Sequence, residues 1–286
     1  MRVAFQGVHG AYSEAAARAF FGSSCKTVPF ETFEDVFDAV QRNRADRGVI
    51  PIENSLAGSI HQNYDLLLSH SLHIVGEIHL RIQHALMAQP SASLKTLTRI
   101  RSHPQALAQC SKFFSRHKSL KPEPYFDTAG AAESLLTDKD STAGAIASEH
   151  AATLYGLKIL KRRIEGETQN FTRFLVISKK PWSSISQAKT KSSIVFSPVN
   201  NQTGILFRIL GVFSLRDIDL LKIESRPDPK SPFEYLFYID LEGSPREKQV
   251  AQAFDHLKEM TQRFRLLGAY PMGKGNFYGA AKKRAR

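Results

Sequence analysis

The sequence predicts an α/β protein with a longer first region and a smaller ferredoxin-like second region. Short apolar runs alternate with segments of helical periodicity over residues 1–180, which is typical of βα units and mostly parallel sheet. Residues 181–190 are polar, contain a proline and show no period, so they are predicted to be a linker. Residues 191–272 then follow the order strand, helix, strand, strand, helix, strand, which is the ferredoxin-like βαββαβ plan.

The elements of both regions follow from local patterns of apolar residues. In the first region, strands are predicted at Arg2–Gln6, Arg47–Ile52, His73–His79, Arg99–Ser102, Ala143–Ala147 and Phe174–Ser178. Between them, apolar residues recur at helical spacing in Ser13–Phe21, Phe33–Arg42 and Gln62–Ser69. In the second region, strands are predicted at Ser192–Ser197, Asp219–Ser225, Phe233–Leu241 and Arg265–Tyr270, and helices at Gly204–Leu215 and Glu247–Gln262.

Composition excludes several classes of protein. Hydrophobic residues make up 42% and charged residues 23% of the chain, as in globular proteins. No apolar run approaches the length of a membrane span, and no apolar leader precedes the first strand, so we expect a cytoplasmic protein with no membrane contact. The two cysteines, Cys25 and Cys110, are too few for a disulfide framework or a four-ligand zinc site.

The formal net charge of +12 does not indicate a nucleic-acid partner. Five of the positive charges lie in residues 273–286, which contain no acid and are predicted to form a solvated basic tail. The other charges are scattered, with no basic stripe interleaved with stacking aromatic residues.

Small polar residues gather at four strand-to-helix junctions. These are Gly10–Glu14, Pro51–Ser55, Ser102–Gln105 and Asp127–Gly130. Each junction offers a capping side chain and free backbone N–H groups at a helix start, and in open α/β sheets such junctions line the ligand crevice. Any one of them alone is more often an ordinary cap. Together they favour a site for a ligand with two carboxylates.

Two further segments carry candidate site residues. Ser102, Gln105 and Gln109 share one face of a predicted helix, an uncharged polar stripe that suits hydrogen-bond donation to a buried ligand. A solvated face is the alternative. Thr172 and Arg173 enter a buried strand, either as a substrate contact or, for the arginine, as an ion pair at a sheet edge.

The four junctions, together with Asn170–Phe174, resemble the signatures of prephenate dehydratases in order and spacing. The second region resembles the ACT regulatory domain that follows in that family. Thr203–Leu206 is similar to its Gly-Ala-Leu turn, although Ile205 departs from the usual small residue, and Glu224–Pro227 matches its Glu-Ser-Arg-Pro motif. The resemblance covers nearly all of the chain up to residue 272, and it is to the monofunctional form, without a chorismate mutase helix bundle.

The resemblance implies a two-lobed α/β catalytic region like a type-2 periplasmic binding protein, with the site in its cleft. It implies conversion of prephenate to phenylpyruvate with loss of CO2 and water, using no metal and no organic cofactor. Thr172 is expected to contact the departing ring hydroxyl, and either Glu53 or Asp127 to hold the transferred proton. The expected substrate-binding residues are Asn54, Ser55, Ser102, Gln105, Gln109, Thr128, Arg173 and Phe174.

The ACT resemblance implies control by L-phenylalanine. The effector is expected at an interface between ACT domains of a homodimer or homotetramer. Its expected contacts are Thr203, Gly204, Ile205, Leu206, Leu220, Glu224, Ser225 and Arg226.

Two other functions fit the same motifs. Arogenate dehydratase performs the same elimination on the aminated substrate. A non-catalytic amino-acid-binding regulator is the alternative from another class, because two-lobed clefts and ACT domains also occur in sensors. A sensor would have no need for Thr172 together with two acidic groups.

Overall fold

The structure is a computed structural model that describes residues 1–138, 140–183, 189–199, 203–228, 231 and 234–273. It contains two compact units. The first consists of Met1–His70 and Ile78–Leu175. The second consists of Ser71–Glu77 and the described residues from Val176 onward.

The predicted domain boundaries remain predictions. Residues 184–188 of the predicted linker and residues 274–286 of the predicted tail lie outside the described residues. Phe233, the first residue of one predicted strand, lies outside them as well.

Strands and helices are mixed along the chain from the first residues to Ser178. In chain order the elements are β1 (Arg2–Gln6), α1 (Tyr12–Phe21), β2 (Lys26–Phe30), α2 (Phe33–Gln41), β3 (Arg47–Asn54), β4 (Gly58–Ser59), α3 (His61–Ser69), β5 (His73–Arg81), β6 (Ala85–Ala88), β7 (Arg99–Ser102), α4 (Pro104–Gln109), α5 (Ser111–Arg116), β8 (Lys121–Pro124), α6 (Thr128–Thr137), β9 (Ala143–Ala147), α7 (Glu149–Leu154), β10 (Lys158–Lys161) and β11 (Phe171–Ser178).

These strands form two sheets, which confirms the prediction of a two-lobed α/β region. The first sheet has the order β2-β1-β3-β11-β5, and the short β4 pairs with β3. In it, β1 runs parallel to both β2 and β3. The second sheet has the order β10-β6-β9-β7-β8. It is mixed rather than mostly parallel, because β6 is antiparallel to β9 and β10 while β7 is parallel to β8 and β9.

The remaining elements confirm the predicted βαββαβ order. They are β12 (Thr190–Pro198), α8 (Ile205–Ser214), β13 (Leu220–Pro227), β14 (Tyr235–Glu242), α9 (Lys248–Met260) and β15 (Thr261–Pro271). The sheet has the order β13-β14-β12-β15, and its neighbouring strands are antiparallel. Alternate residues of β12, such as Ile194 and Phe196, join a core with Phe213 of α8 and Phe254 of α9, so both helices cover one face of the sheet.

The second unit also contains a fully buried ion pair. Lys191 Nζ lies 2.8 Å from Glu77 Oε1 and 3.0 Å from Glu77 Oε2, and neither side chain is exposed. The backbone N–H of Gly273 donates to Glu77 Oε1 at 3.0 Å. Since an isolated charge is costly to bury, each member of this pair depends on the other.

Among the helices within the described residues, none is long and apolar enough to cross a membrane.

Candidate functional site

A cavity of about 350 Å3 lies in the first unit, where the loops that follow β1, β3, β7 and β8 meet strand β11. Its polar lining residues are Gln6, Tyr12, Ser13, Asn54, Ser59, His84, His103, Gln105, Gln109, Asp127, Thr128 and Thr172. Strands of the first sheet contribute to this lining, together with segments that follow strands of the second sheet, as expected for a two-lobed site. Among the lining residues that the structure describes, Asp127 is the only acid, and none is a lysine or an arginine.

One wall of the cavity is a continuous string of hydrogen-bonded amides, and it begins at Asn54. Asn54 Oδ1 accepts hydrogen bonds from the backbone N–H groups of Leu56 at 3.1 Å and Ala57 at 3.0 Å. These two donors fix the orientation of the carboxamide, so Nδ2 must point the other way. Asn54 Nδ2 donates to Thr172 Oγ1 at 2.9 Å and to Asn170 Oδ1 at 2.8 Å.

The orientation of the Asn54 carboxamide determines the orientation of the next side chains in the string. Asn170 is fully buried, and its Oδ1 is used as an acceptor, so its Nδ2 donates to Gln109 Oε1 at 3.0 Å. The same Gln109 oxygen lies 2.8 Å from His84 Nε2. His84 Nδ1 in turn lies 3.0 Å from the hydroxyl of Tyr12, which also lies 2.6 Å from the carbonyl oxygen of Gln83.

This wall presents hydrogen-bond donors to the cavity. Because Thr172 Oγ1 accepts from Asn54, its own hydrogen is available for a ligand. Because Gln109 Oε1 accepts from Asn170, the NH2 group of Gln109 is the end left for the cavity that Gln109 lines. Helix α1 adds further donors, since no side chain caps its N-terminus and its first residues, Tyr12 and Ser13, also line the cavity.

Asp127, which also lines the cavity, has an incompletely satisfied carboxyl group. It is the N-cap of α6, and its Oδ1 accepts from the backbone N–H of Gly130. Its Oδ2 is buried and has no hydrogen-bond partner among the described residues. Burial raises the pKa of Asp127, and the hydrogen bonds from the Gly130 and Ala129 amides offset this only in part.

His103 lies near this carboxyl group. Its Nδ1 accepts from the backbone N–H of Gln105 at 3.2 Å, so a neutral ring carries its hydrogen on Nε2. Burial lowers the pKa of His103, although the charge of Asp127 acts in the opposite direction. The neutral form is therefore favoured at neutral pH.

The loop after β1 is held in place by Glu14, which is 1% exposed. Glu14 accepts from the backbone N–H of Gly10 at 2.7 Å, from Thr27 Oγ1 at 2.8 Å and from Arg18 Nη2 at 2.8 Å. Gly10 has a positive φ of 90°, and a Cβ there would lie 3.0 Å from the Cβ of Ala151. Glycine is therefore required both for the turn and for this close approach.

The structure brings together only part of the predicted substrate-site residues. Those that line the cavity are Asn54, Gln105, Gln109, Asp127, Thr128, Thr172 and Phe174. Those that are absent from its lining are Glu53, Ser55, Ser102 and Arg173.

Local contacts account for two of these exclusions. The hydroxyl of Ser102 is fully buried and donates to the Ile146 carbonyl oxygen at 2.6 Å. Ser55 exchanges hydrogen bonds with the segment before β11, donating to Gln169 O at 2.8 Å and accepting from Phe171 N at 2.9 Å. Glu53 precedes Asn54 on β3, and neighbouring residues of a strand point to opposite faces.

Sequence reasoning missed the polar lining residues Gln6, Tyr12, Ser13, Ser59, His84 and His103, and also Asn170, which donates to Gln109 from behind the wall. Tyr12 and Asn170 stood inside motifs that were noted, but the pattern gave no reason to single them out. His84 has a weak signal in the sequence, as a polar residue between the apolar Ile82 and Ala85 at the point where β5 has ended and β6 begins.

The residues predicted to bind the effector lie in the second unit. Gly204 has a φ of 78° and precedes α8 without any side-chain cap. Ile205 and Leu220 pack against the core of their own domain. Glu224, Ser225 and Arg226 lie on β13, at the edge of the sheet, and Glu224 Oε2 is 3.5 Å from Lys222 Nζ.

Within the part of the chain that the structure describes, no group of three or more His, Cys, Asp or Glu residues could hold a metal ion.

Comparison with known proteins gives a consistent result along the chain. The family described as prephenate dehydratase matches residues 3–182, and the ACT domain family matches residues 194–257. The chain is 46% identical to "Arogenate dehydratase/prephenate dehydratase 2, chloroplastic" of Arabidopsis thaliana over 95% of this chain and 73% of the relative.

Two solved structures resemble the whole chain. A prephenate dehydratase from Arthrobacter aurescens in complex with L-Phe is 28% identical, with a TM-score of 0.88, and covers 95% of this chain and 90% of its own. A chain described as "GqqA- a novel type of quorum quenching acylases" is 35% identical, with a TM-score of 0.88. The match covers 96% of this chain and 99% of that chain. The chain therefore belongs to the prephenate dehydratase family and carries an ACT domain after the dehydratase region.

Proposed function

We propose that this enzyme converts prephenate to phenylpyruvate, and that the cavity of the first unit is its active site. The observation that supports this most directly is the pairing of an uncharged donor wall, which includes Thr172, with a buried acid, Asp127, whose pKa is raised. Such a site can bind an anion through hydrogen bonds and still hold a proton.

The donors suit the two carboxylates of prephenate. No lysine or arginine is among the described lining residues, so the charge is met by the Gln109 amide and the free N–H groups at the start of α1. Hydrogen bonds from neutral donors to a carboxylate are charge-assisted and strong in a site that excludes water.

The reaction breaks two bonds and needs one proton. The C–C bond to the ring carboxylate breaks and releases CO2, and its electron pair completes the aromatic ring as the C–O bond to the ring hydroxyl breaks. The departing oxygen takes up a proton and leaves as water. In this proposal Thr172 donates a hydrogen bond to that oxygen, and Asp127 supplies the proton, because hydroxide is a poor leaving group without one.

Arogenate is the second candidate substrate, because the name of the Arabidopsis relative includes it. Arogenate carries an ammonium group where prephenate has a keto oxygen. Among the described lining residues the only carboxyl group is that of Asp127. If Asp127 is protonated for catalysis, no anion faces the ammonium group, so we expect prephenate to be the better substrate.

Separate assays of purified protein with prephenate and with arogenate test this proposal. Phenylpyruvate formation should exceed phenylalanine formation in kcat/KM. The reverse order would make the protein an arogenate dehydratase. An N-acyl amide serves as a third substrate because of the similarity to the acylase chain. Hydrolysis of that amide with no turnover of the other two would overturn the proposal.

L-Phenylalanine is proposed as the effector, bound between the ACT domains of two chains. The uncapped N-terminus of α8 at Gly204 offers N–H groups for its carboxylate, and the Arthrobacter relative was solved with L-Phe bound. The pairing of chains, as a homodimer or homotetramer, is proposed from the position of β13 at the sheet edge.

Calorimetric titration of phenylalanine alongside turnover assays tests the effector site. Coupling of about 1–3 kcal/mol between the two sites would change the apparent substrate affinity by roughly five- to a hundredfold. Binding that survives Gly204→Pro combined with Glu224→Ala would place the control site elsewhere.

The predicted cytoplasmic location remains a prediction, and the name of the Arabidopsis relative assigns that protein to the chloroplast.

A further inference from the structure

His84 is a buried titratable group that the proposed mechanism does not use. It is 2% exposed, and both ring nitrogens lie at hydrogen-bond distance from named partners. Nε2 is 2.8 Å from Gln109 Oε1, and Nδ1 is 3.0 Å from the Tyr12 hydroxyl. The backbone N–H of His84 donates to Glu165 Oε2 at 2.9 Å.

The partners of His84 decide where its hydrogen lies. Gln109 Oε1 already accepts from Asn170 Nδ2, so it is an oxygen, and the ring nitrogen beside it must carry a hydrogen. A neutral ring with its hydrogen on Nε2 leaves Nδ1 as an acceptor. This tautomer requires the Tyr12 hydroxyl to direct its single hydrogen to Nδ1, 3.0 Å away, instead of to the Gln83 carbonyl oxygen, 2.6 Å away. Burial lowers the pKa of His84, while the Gln109 hydrogen bond and the charge of Glu165 raise it, with a net shift downward.

The opposite tautomer would disturb the wall of the active site. A bare Nε2 would set its lone pair against Gln109 Oε1 at 2.8 Å. The Gln109 carboxamide could relieve this only by turning over, at the cost of its hydrogen bond from Asn170 Nδ2. Its oxygen would then face the cavity in place of its NH2 group. A donor to the substrate carboxylate would become an acceptor that repels it.

We propose that His84, held as the Nε2–H tautomer, is a positioning residue that fixes the polarity of the Gln109 amide toward the substrate. The orientation of the Gln109 amide is then set from both ends of the string. At one end the backbone amides of Leu56 and Ala57 act through Asn54 and Asn170, and at the other end His84 acts directly. The kinetic part of this inference rests on the proposed function, since it assumes an anionic substrate in the cavity.

A pair of substitutions separates the hydrogen bond from simple packing. In His84→Gln the side-chain amide places an N–H group where Nε2–H was, whereas in His84→Asn the shorter amide reaches only the position of Nδ1. We expect KM for the anionic substrate to rise about ten- to a hundredfold in His84→Asn, with a smaller change in kcat, because a charge-assisted hydrogen bond is lost. His84→Gln should recover most of this loss.

The matched control is His117→Gln. His117 lies in the same unit, stacked on Phe113, and outside the amide string. Its replacement should leave KM unchanged. Equal KM values for His84→Asn and His84→Gln, at equal thermal stability, would overturn the proposal.

The tautomer can be observed without any substrate. In protein carrying 15N-labelled histidine, the His84 signal is identified among the ten histidines as the one absent from His84→Gln. We expect the Nε2–H pattern at neutral pH, and a mixture of tautomers in Gln109→Leu. An Nδ1–H pattern in the parent protein would overturn the proposal whichever substrate the enzyme prefers. An Nε2–H pattern with no turnover of prephenate or arogenate would contradict the proposed function alone.

Discussion

Glu14 and Asp127 are two acids of the same unit whose surroundings move their pKa values in opposite directions. Burial alone would raise the pKa of Glu14, but hydrogen bonds from Gly10, Thr27, Arg18 and His9 outweigh it and lower the pKa from 4.5 to about 2. Asp127 has fewer donors, one of its oxygens has no partner among the described residues, and burial raises its pKa. The hydrogen-bond donors around each carboxyl group, set against its burial, decide the direction in which its pKa moves.

The difference separates a structural acid from the acid that we propose to be reactive. Glu14 is fully satisfied and holds the turn at Gly10, so it has nothing left to offer a ligand. Asp127 lines the cavity and keeps an oxygen available.

Asp127→Asn should have the largest effect on activity. If Asp127 supplies the proton, kcat should fall by about 10²- to 10⁴-fold, since an amide cannot donate it. The fold should not suffer, because Asn can still cap α6 through its oxygen. Because the pKa of Asp127 is higher in the folded than in the unfolded protein, its contribution to folding stability is present below the unfolded pKa. That contribution is lost as the pH rises through the pKa of the folded protein. The variant should therefore melt at or above the parent temperature at neutral pH, and the gap should close in acid. Parent turnover by the folded variant would contradict the role.

Thr172→Ala should lower kcat by about 10²-fold while KM changes little, because the hydroxyl contact matters mainly as the leaving group departs. Thr172→Ser should retain more activity, as it keeps the hydroxyl. Combined with Asp127→Asn, the loss should be smaller than the product of the two single losses, because both residues act on one step. Multiplicative losses would show that Asp127 and Thr172 are not coupled in this step.

The pH profile should distinguish the two acids at once. Activity that needs protonated Asp127 falls about tenfold per unit as pH rises through its raised pKa. This limb of the kcat/KM profile should disappear in Asp127→Asn and stay in place in Glu14→Gln. If this limb moves in Glu14→Gln, the assignment of the proton to Asp127 is wrong.

Glu14→Gln should reduce stability by about 1–3 kcal/mol, because buried donors lose a charged acceptor, and should change kcat far less than Asp127→Asn does. Because the pKa of Glu14 is lower in the folded than in the unfolded protein, its carboxylate stabilises the fold above the unfolded pKa. That contribution is lost as the pH falls through the pKa of the folded protein. The gap in unfolding free energy between parent and variant should therefore close between pH 4.5 and about 2. A gap independent of pH in denaturant titrations would rule out this account.

Much of the fold followed from periodicity, and the exceptions have physical causes. Strands with an apolar pattern, such as β1 and β9, lie where the pattern predicted them. The strand β8 was missed because Lys121–Pro124 has two prolines and two charged residues and sits at a sheet edge. The strand β6 was missed because Ala85–Ala88 is short and rich in residues that favour helices.

The candidate site was predictable only as a set of motifs. Residue types and spacing pointed to Asn54, Gln109 and Thr172, but the direction of each amide depends on contacts between residues far apart in sequence. Asn54 and Asn170 meet only because β3 and β11 are neighbours in the first sheet. His84 could not be recognised before its two ring partners were known.

The fully buried pair of Lys191 and Glu77 bears on whether the ACT region is a portable module. Glu77 lies on β5, whose remaining residues from Ile78 belong to the first unit, yet Glu77 belongs to the second unit, as do its buried neighbours Ile74 and Val75. A chain shortened after residue 180 would keep this strand but lose its buried cation and its packing partners. Without the ACT region the buried apolar side chains of Ile74 and Val75 would be exposed to water, so the boundary of the second unit lies inside the dehydratase sequence rather than at its end.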